Sequence, residues 1–302
     1  MGIKQLIRKA ARKAVGYDDS LNALFYYVNH LHSITEFPKA TGDLRLLQLA
    51  DVKLLQIIDA ICQKNGLEYW MDSGTLLGAV RHKGFIPWDD DTDLCMDREN
   101  YLKAREILPE VCAHYGIDVK EAENCRGGWI GIGYKHKDTG IWADIFPMDY
   151  SCVDISMPEK REQLEAEVKA FHKKYQKKMK TDPNMDKQAE FKRKIIPSIC
   201  GKDQAKTLVI YCEFWSDVAL YQYSDVFPLK RIDFDGAFLL APNNSENYLK
   251  EYFGDYMQFP RWGILHHAEG RPSLETWAKL SGTDMKQVLV ELDEIICRIA
   301  LP

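Results

Sequence analysis

Four aspartates fall within five positions, Asp89, Asp90, Asp91 and Asp93, and any fold built on this chain must give their charges a counterpart. Like charges this close repel one another and cost stability unless a cation compensates. The residues that follow set the geometry. Leu94 and Met96 alternate with Asp91, Asp93 and Cys95, which predicts a strand over 91–96. On a strand, residues two apart point the same way. Asp91 and Asp93 are therefore expected on one face, with Leu94 and Met96 on the opposite, core-facing side. Two carboxylates on one face make a hard oxygen site suited to magnesium or manganese. A solvated acidic turn or a calcium-type loop is the competing reading, but the ligand spacing of an EF-hand with its downstream glutamate is absent.

Upstream, Leu67–Met71 reads as a strand and residues 72–88 as a glycine-containing turn with a short connection. Ser73-Gly74-Thr75 opens that turn. Gly74 lets the backbone come close to a ligand, and a helix starting near Thr75 would offer free N–H groups to an anion. Arg81 and Lys83 are the nearest cations able to neutralise a phosphate; surface salt bridging is their other use. A third carboxylate is needed to complete a metal site, and Asp144 in Ile141-Trp142-Ala143-Asp144-Ile145-Phe146-Pro147 is the candidate. An acid in so apolar a strand is costly to bury without a partner. Asp149 competes for the role, but Pro147 is expected to put it past the strand's end.

Elsewhere the periodicities are ordinary. Residues 47–65 read as a helix capped by Gly66, 98–114 as a second helix, and 129–134 and 141–146 as strands. A long polar helix covers 158–180; the lysines at its end, Lys177, Lys178 and Lys180, suit a solvated face or a phosphate-bearing acceptor. Residues 181–186 have loop chemistry and 204–222 look helical. Arg231–Phe234 and Ala237–Leu240 flank Asp235-Gly236 as a hairpin. Met285, Val288, Leu289, Leu292, Ile295, Ile296 and Ile299 form the buried stripe of a helix over 285–299.

Composition narrows the function. With 46% hydrophobic and 28% charged residues the chain has the balance of a globular protein. Its net charge of -5 supplies no global basic field, so nucleic acid is not expected as a partner. The eight cysteines form no C-x-x-C pair and read as reduced thiols. There is no apolar run of membrane-spanning length, and the basic start lacks the apolar region of a secretory signal. A cytoplasmic location is expected. Residues 1–16 predict a short amphipathic helix with Lys4, Arg8, Lys9, Arg12 and Lys13 on one side. Peripheral contact with the inner, anionic membrane face is one expectation for it, and an ordinary solvated helix the other.

The stretch Gly74-Thr75-Leu76-Leu77-Gly78-Ala79-Val80-Arg81-His82, followed by Gly84-Phe85-Ile86-Pro87-Trp88-Asp89-Asp90-Asp91-Thr92-Asp93, resembles the signature of the LicD family. That family includes bacterial phosphocholine transferases and, more distantly, fukutin and fukutin-related protein. Asp144-Ile145-Phe146-Pro147-Met148-Asp149 is similar to the family's third-acid segment. Pro228-Leu229-Lys230, Pro242-Asn243-Asn244, Tyr248-Leu249, Tyr252, Gly254-Asp255-Tyr256 and His266-His267 resemble its C-terminal part. The likeness runs from about residue 45 to 268 with a poorly matched helical middle. Thr92 departs from it, standing where the family usually has an apolar residue.

The resemblance implies an α+β nucleotidyltransferase fold: a mixed β-sheet flanked by helices, a helical insertion and a C-terminal helical segment. The corresponding division is a lead-in over 1–40, the metal-bearing core over 41–155, the insertion over 156–222 and a completing part over 223–302. The implied chemistry is metal-dependent transfer of phosphocholine from CDP-choline to a sugar hydroxyl of a glycan or glycolipid acceptor, with release of CMP. Asp91, Asp93 and Asp144 would hold Mg2+ or Mn2+, and Ser73, Gly74 and Thr75 would cradle the donor phosphates. A trimethylammonium group calls for aromatic rings, for which Trp88, Trp129 and Trp142 are candidates, core packing being their other use. His266 and His267 are candidates for acceptor or phosphate binding. Three alternatives stay open: the same chemistry on CDP-linked ribitol, glycerol or ethanolamine, a nucleotide-sugar glycosyltransferase, and a non-catalytic binding module.

Overall fold

The computed structural model describes residues 17–121, 129–134, 140–178, 186–210, 218–259 and 284–300. The expected helix over 1–16 and both His266 and His267 lie outside them. Helix α1 spans Tyr17–Leu31 and leads through a short turn at Ile34–Glu36 into α2, Gly42–Lys64. Helix α2 buries Leu47, Leu54, Leu55, Ile58, Ile61 and Cys62 on one stripe. It ends as its sequence predicts. Gly66 adopts a positive φ of 62°, and the N–H groups of Gly66 and Leu67 close back on Gln63 and Cys62, a Schellman stop.

The chain then builds a seven-stranded sheet. Its path is β1 (Trp70–Met71), β2 (Thr92–Asp97), β5 (Trp142–Ser151), β4 (Ile130–Tyr134) and β3 (Ile117–Glu121). Strands β6 (Thr207–Val209) and β7 (Leu220–Gln222) extend it from the far end of β5. Among the described residues only β2 and β5 run parallel; the other pairs are antiparallel. Helix α3 (Ser73–His82) connects β1 to β2, and α4 (Arg98–His114) follows β2. The Asp97 side chain caps α4 by accepting from the N–H groups of Glu99 and Asn100. Helices α5 (Pro158–Lys178) and α6 (Asp186–Ile195) enclose a small separate core of Leu164, Val168, Phe171 and Ile196. A short helix α7 (Tyr223–Val226), the hairpin β8 (Lys230–Phe234) and β9 (Ala237–Ala241), then α8 (Ser245–Phe253) follow. Last comes α9 (Met285–Ala300), whose buried Val288, Leu292, Ile295 and Ile299 pack on α2.

Four local expectations need correction. Strand β1 is shorter than Leu67–Met71, because the Glu68 N–H goes to the Asn100 side chain rather than to a ladder. The stretch read as a turn over 72–88 is mostly helix α3, starting at Ser73. The helix expected over 204–222 is not seen among the described residues: 207–209 pairs with Asp149–Ser151 of β5 and with 220–222. Finally, β5 does not stop at Pro147 but runs on to Ser151. Between Ile145 and Asp149 it has no ladder partner on its β4 side among the described residues. Pro147 sits in that gap, where a missing N–H costs no ladder bond.

Candidate active site

The sheet register assembles the acids. Asp93 of β2 lies directly beside Asp144 of β5 in the parallel pair, with strand spacing of about 4.8 Å. Thr92 points to the opposite face, fully buried, its hydroxyl donating to the Trp142 carbonyl at 3.1 Å. Its departure from the family pattern therefore leaves the acidic face untouched. Asp91 stands one residue before β2 rather than on it. Among the described residues one carboxylate trio has oxygens all within 4.8 Å of one another, Asp89, Asp90 and Asp91. Burial first, then the charges of Asp91, Asp72, Asp144 and Asp89, hold the Asp93 carboxyl well above the usual carboxylate range. Asp93 thus feels both clusters at once.

Helix α3 begins at this cluster. Thr75 is buried, and its hydroxyl accepts the Asp93 N–H at 2.8 Å, so the helix's first turn is fastened to the acidic strand. Ser73 has a positive φ of 44°, a conformation that non-glycine residues hold only when their surroundings enforce it. Gly74 leaves no room to spare: a Cβ there would lie 2.8 Å from Asp89 Oδ2. The N–H groups of a helix start and a carboxylate cluster therefore share one small volume. That pairing suits an anion and a cation bound together. Arg81 and Lys83 lie at the far end of α3, roughly 12–15 Å along the axis from Ser73 by helix rise. Arg81 is buried and donates to the Tyr256 carbonyl at 2.6 Å and to His82 at 3.0 Å. Lys83 is exposed in a left-handed C-cap, donating to the Val80 carbonyl.

Three features escaped sequence reasoning. Asp72 is buried beneath the first turn of α3; its oxygens accept from Tyr248 at 2.7 Å and from the Cys95 thiol at 3.1 Å. Burial raises its pKa against the opposing pull of those bonds. Gln48 of α2, fully buried, donates to the carbonyls of Asp89 at 2.9 Å and Ile86 at 3.3 Å, and so holds the acidic loop by its backbone. Arg45 reaches from Gln48 to both oxygens of Asp235 at the hairpin tip, and Asp235 also accepts the Phe85 N–H at 3.0 Å. The one available signal was a polar residue inside an apolar helical stripe, as at Gln48.

The aromatic candidates divide. Trp88 packs edge-on against Phe37 and His82. Trp129 packs against Phe146 with ring centroids 5.4 Å apart. Trp142 sits on the acidic face of β5 and its indole N–H donates to Asp144 Oδ1 at 2.6 Å.

The donor set fits a divalent cation: neighbouring aspartates whose Asp93 and Asp89 carboxyls are raised by burial and by one another's charge. Burial, then Asp91 and Asp90, push the Asp89 carboxyl up to about 8. The sign of the pH effect follows. A carboxyl whose folded pKa lies above its unfolded value of about 3.9 makes the fold bind the extra proton, so stability falls as pH rises between the two values. Metal-free protein is expected to lose melting temperature from about pH 4 to pH 8, and millimolar Mn2+ to remove that slope. A slope unchanged by Mn2+ and Mg2+ would count against a cation at this cluster.

A mixed sheet whose parallel pair carries adjacent aspartates beside a tight strand-to-helix turn places the chain in the nucleotidyltransferase-fold class. Within it, residues 66–196 match the family described as LicD/FKTN/FKRP, nucleotidyltransferase domain. It is 25% identical over 247 residues to the lipopolysaccharide cholinephosphotransferase LicD of Haemophilus influenzae, covering 72% of this chain and 92% of that protein. It is 50% identical over 95 residues to the human ribitol 5-phosphate transferase FKRP, covering 30% of this chain and 16% of that protein. An uncharacterized protein of Rickettsia typhi is 36% identical over 104 residues, 32% of this chain and 34% of its own length.

Proposed function

We propose that the protein is a metal-dependent phosphotransferase that moves an alcohol phosphate from a CDP-linked donor to a sugar hydroxyl, and that the alcohol is choline. The observation that carries the reading is the meeting of the α3 N-terminus with the Asp89–Asp93 cluster at one point. The likeness to the Haemophilus cholinephosphotransferase extends over 92% of that protein and favours choline over ribitol, for which the likeness is confined to 95 residues.

Asp91, Asp93 and Asp144 would hold the cation, with Asp89 and Asp90 beside them. Bound there, Mg2+ or Mn2+ would supply Lewis-acid neutralisation of the donor's phosphate oxygens. The N–H groups of Ser73, Gly74 and Thr75 would receive a phosphate at the helix start. Asp144 is the candidate to take the acceptor's proton. The acceptor oxygen forms a new bond to the phosphorus of phosphocholine, the P–O bond to CMP breaks, and CMP leaves. Positioning and charge neutralisation supply most of the rate in such transfers.

The acceptor reading extends to a membrane surface. Helix α1 exposes Leu24, Tyr27 and Leu31, each 59% exposed or more, and the residues preceding it carry five cations before the first acid at Asp18. Among the described residues no helix is long and apolar enough to cross a membrane.

The test is CMP release from CDP-choline, CDP-ethanolamine, CDP-ribitol and CDP-glycerol with Mg2+, using a glycolipid acceptor offered either on anionic vesicles or in neutral detergent. Turnover of CDP-choline, faster on the vesicles, is the expected result. Turnover of another donor would replace choline and keep the chemistry. Equal rates in vesicles and detergent would remove the membrane contact. Hydrolysis of nucleotide sugars with no CDP-alcohol turnover would overturn the assignment in favour of a glycosyltransferase.

A further inference from the structure

Strand β4 reads Ile130-Gly131-Ile132-Gly133-Tyr134, and two glycines in a five-residue interior strand weaken it unless something must approach closely. What approaches is the Trp142 indole. Gly133 is paired with Trp142 and Gly131 with Asp144 in the antiparallel register, so all four lie on one face of the sheet. A Cβ on Gly133 would lie 2.2 Å from Trp142 Cε3, and a Cβ on Gly131 would lie 1.9 Å from Cζ2 and 2.8 Å from Nε1. The indole therefore lies flat across both glycines, from the register position of its own residue to that of Asp144. Its N–H end arrives over Gly131, and Nε1 donates to Asp144 Oδ1 at 2.6 Å. The residue is held at its backbone as well. Its N–H donates to Asp51 Oδ1 at 3.1 Å and its carbonyl accepts from Thr92 at 3.1 Å.

We propose that Trp142 is a positioning residue for the third carboxylate: its indole N–H fixes the rotation of Asp144, and the Gly131 and Gly133 floor exists to let it do so. The proposal rests on the reading of Asp144 as a metal carboxylate. A short bond from an indole N–H to a carboxylate is among the stronger neutral-donor contacts. Partners that orient a metal's carboxylates change metal affinity by about 10- to 100-fold when removed. Trp142 is thereby assigned to the metal side of the site rather than to an aromatic cage for the alcohol.

The test uses the full chain with Mn2+ as probe. Trp142→Phe keeps a ring on the glycine floor and removes the donor. Gly131→Ala keeps the donor and displaces the ring. Each is expected to weaken Mn2+ binding, followed by electron paramagnetic resonance, about 10- to 100-fold, with Trp142→Phe keeping a metal-free melting temperature near that of the wild type. In 15N-labelled wild-type protein the indole resonance that disappears in Trp142→Phe is expected to shift when Asp144→Asn is introduced. That measurement needs neither variant to bind metal, and an indole resonance indifferent to Asp144→Asn overturns the proposal. So does wild-type Mn2+ affinity in Trp142→Phe when Asp144→Ala has lost it. Wild-type affinity in Asp144→Ala would instead remove the metal reading beneath it, a result distinguishable from the first two.

Discussion

Asp93→Asn is expected to abolish transfer and, at neutral pH without metal, to leave a protein at least as stable as the wild type. The two effects have one cause. Asp93 is the residue on which the site's charges converge: Asp144 sits beside it in the parallel register, and Asp91, Asp72 and Asp89 also raise its carboxyl. In the functional state that convergence is what attracts a cation, and the cation's stabilisation of transition-state charge is worth several kcal/mol. Losing it lowers the rate by roughly three powers of ten or more at about 1.4 kcal/mol per tenfold. In the metal-free state the same convergence is repulsive, and an amide of the same shape removes it. The measurement is a melting curve with and without Mn2+ beside a CMP-release assay. The wild type should gain stability on adding Mn2+, since a ligand bound only by the fold shifts unfolding by mass action, whereas Asp93→Asn should not. A variant that is inactive and also strongly destabilised without metal would mean that the Asp93 side chain supports the metal-free fold rather than opposing it.

The acids were legible in the sequence because their chemistry is extreme. Four aspartates in five positions have few uses, and the alternation of Leu94 and Met96 placed them on a strand whose observed limits, Thr92–Asp97, differ by only a residue at each end. The hairpin around Asp235-Gly236 and the apolar stripe of α9 were legible for the same reason, since turn chemistry and helical period are local. What was hidden depended on register. Nothing in Ile141-Trp142-Ala143-Asp144 states that Asp144 faces Asp93, or that two glycines of another strand lie beneath Trp142; sheet pairing decides both. The Gln48 and Asp235 contacts that hold the acidic loop join residues far apart in the chain. The misread segment over 204–222 failed similarly: three-residue strands such as Thr207–Val209 are too short for a period to declare itself, and pairing, of 207–209 with β5 and of 220–222 with 207–209, makes them strands.

Asp149→Ala is expected to cost about 3–5 kcal/mol of folding stability, the range seen when one partner of a buried ion pair is removed. Asp149 is buried near the end of β5, where Arg98 reaches both of its oxygens at 3.0 and 2.8 Å and Lys192 donates at 2.6 Å. Burial alone would raise its pKa, but the two cations and their hydrogen bonds reverse this and hold the carboxyl well below the usual range. Lys192 is itself buried, so deleting Asp149 takes the carboxylate partner away from a positive charge in the interface where α6 meets the sheet. Because the folded pKa is depressed, the stabilisation is complete above the unfolded value of about 3.9 and fades only as pH falls towards the lower folded value. The gap between wild type and variant, measured by urea denaturation, should therefore be constant from pH 7 to pH 5 and close below pH 4. A loss under about 1 kcal/mol would mark the trio as solvent-screened, like an exposed pair. Asp144 and Asp149 lie five residues apart, on opposite faces of one strand, and compete for the same role on sequence grounds. Asp149→Ala should lose stability and keep its affinity for Mn2+, and Asp144→Ala should do the reverse, because one carboxylate already has its two cations from the protein and the other faces the acids that need one.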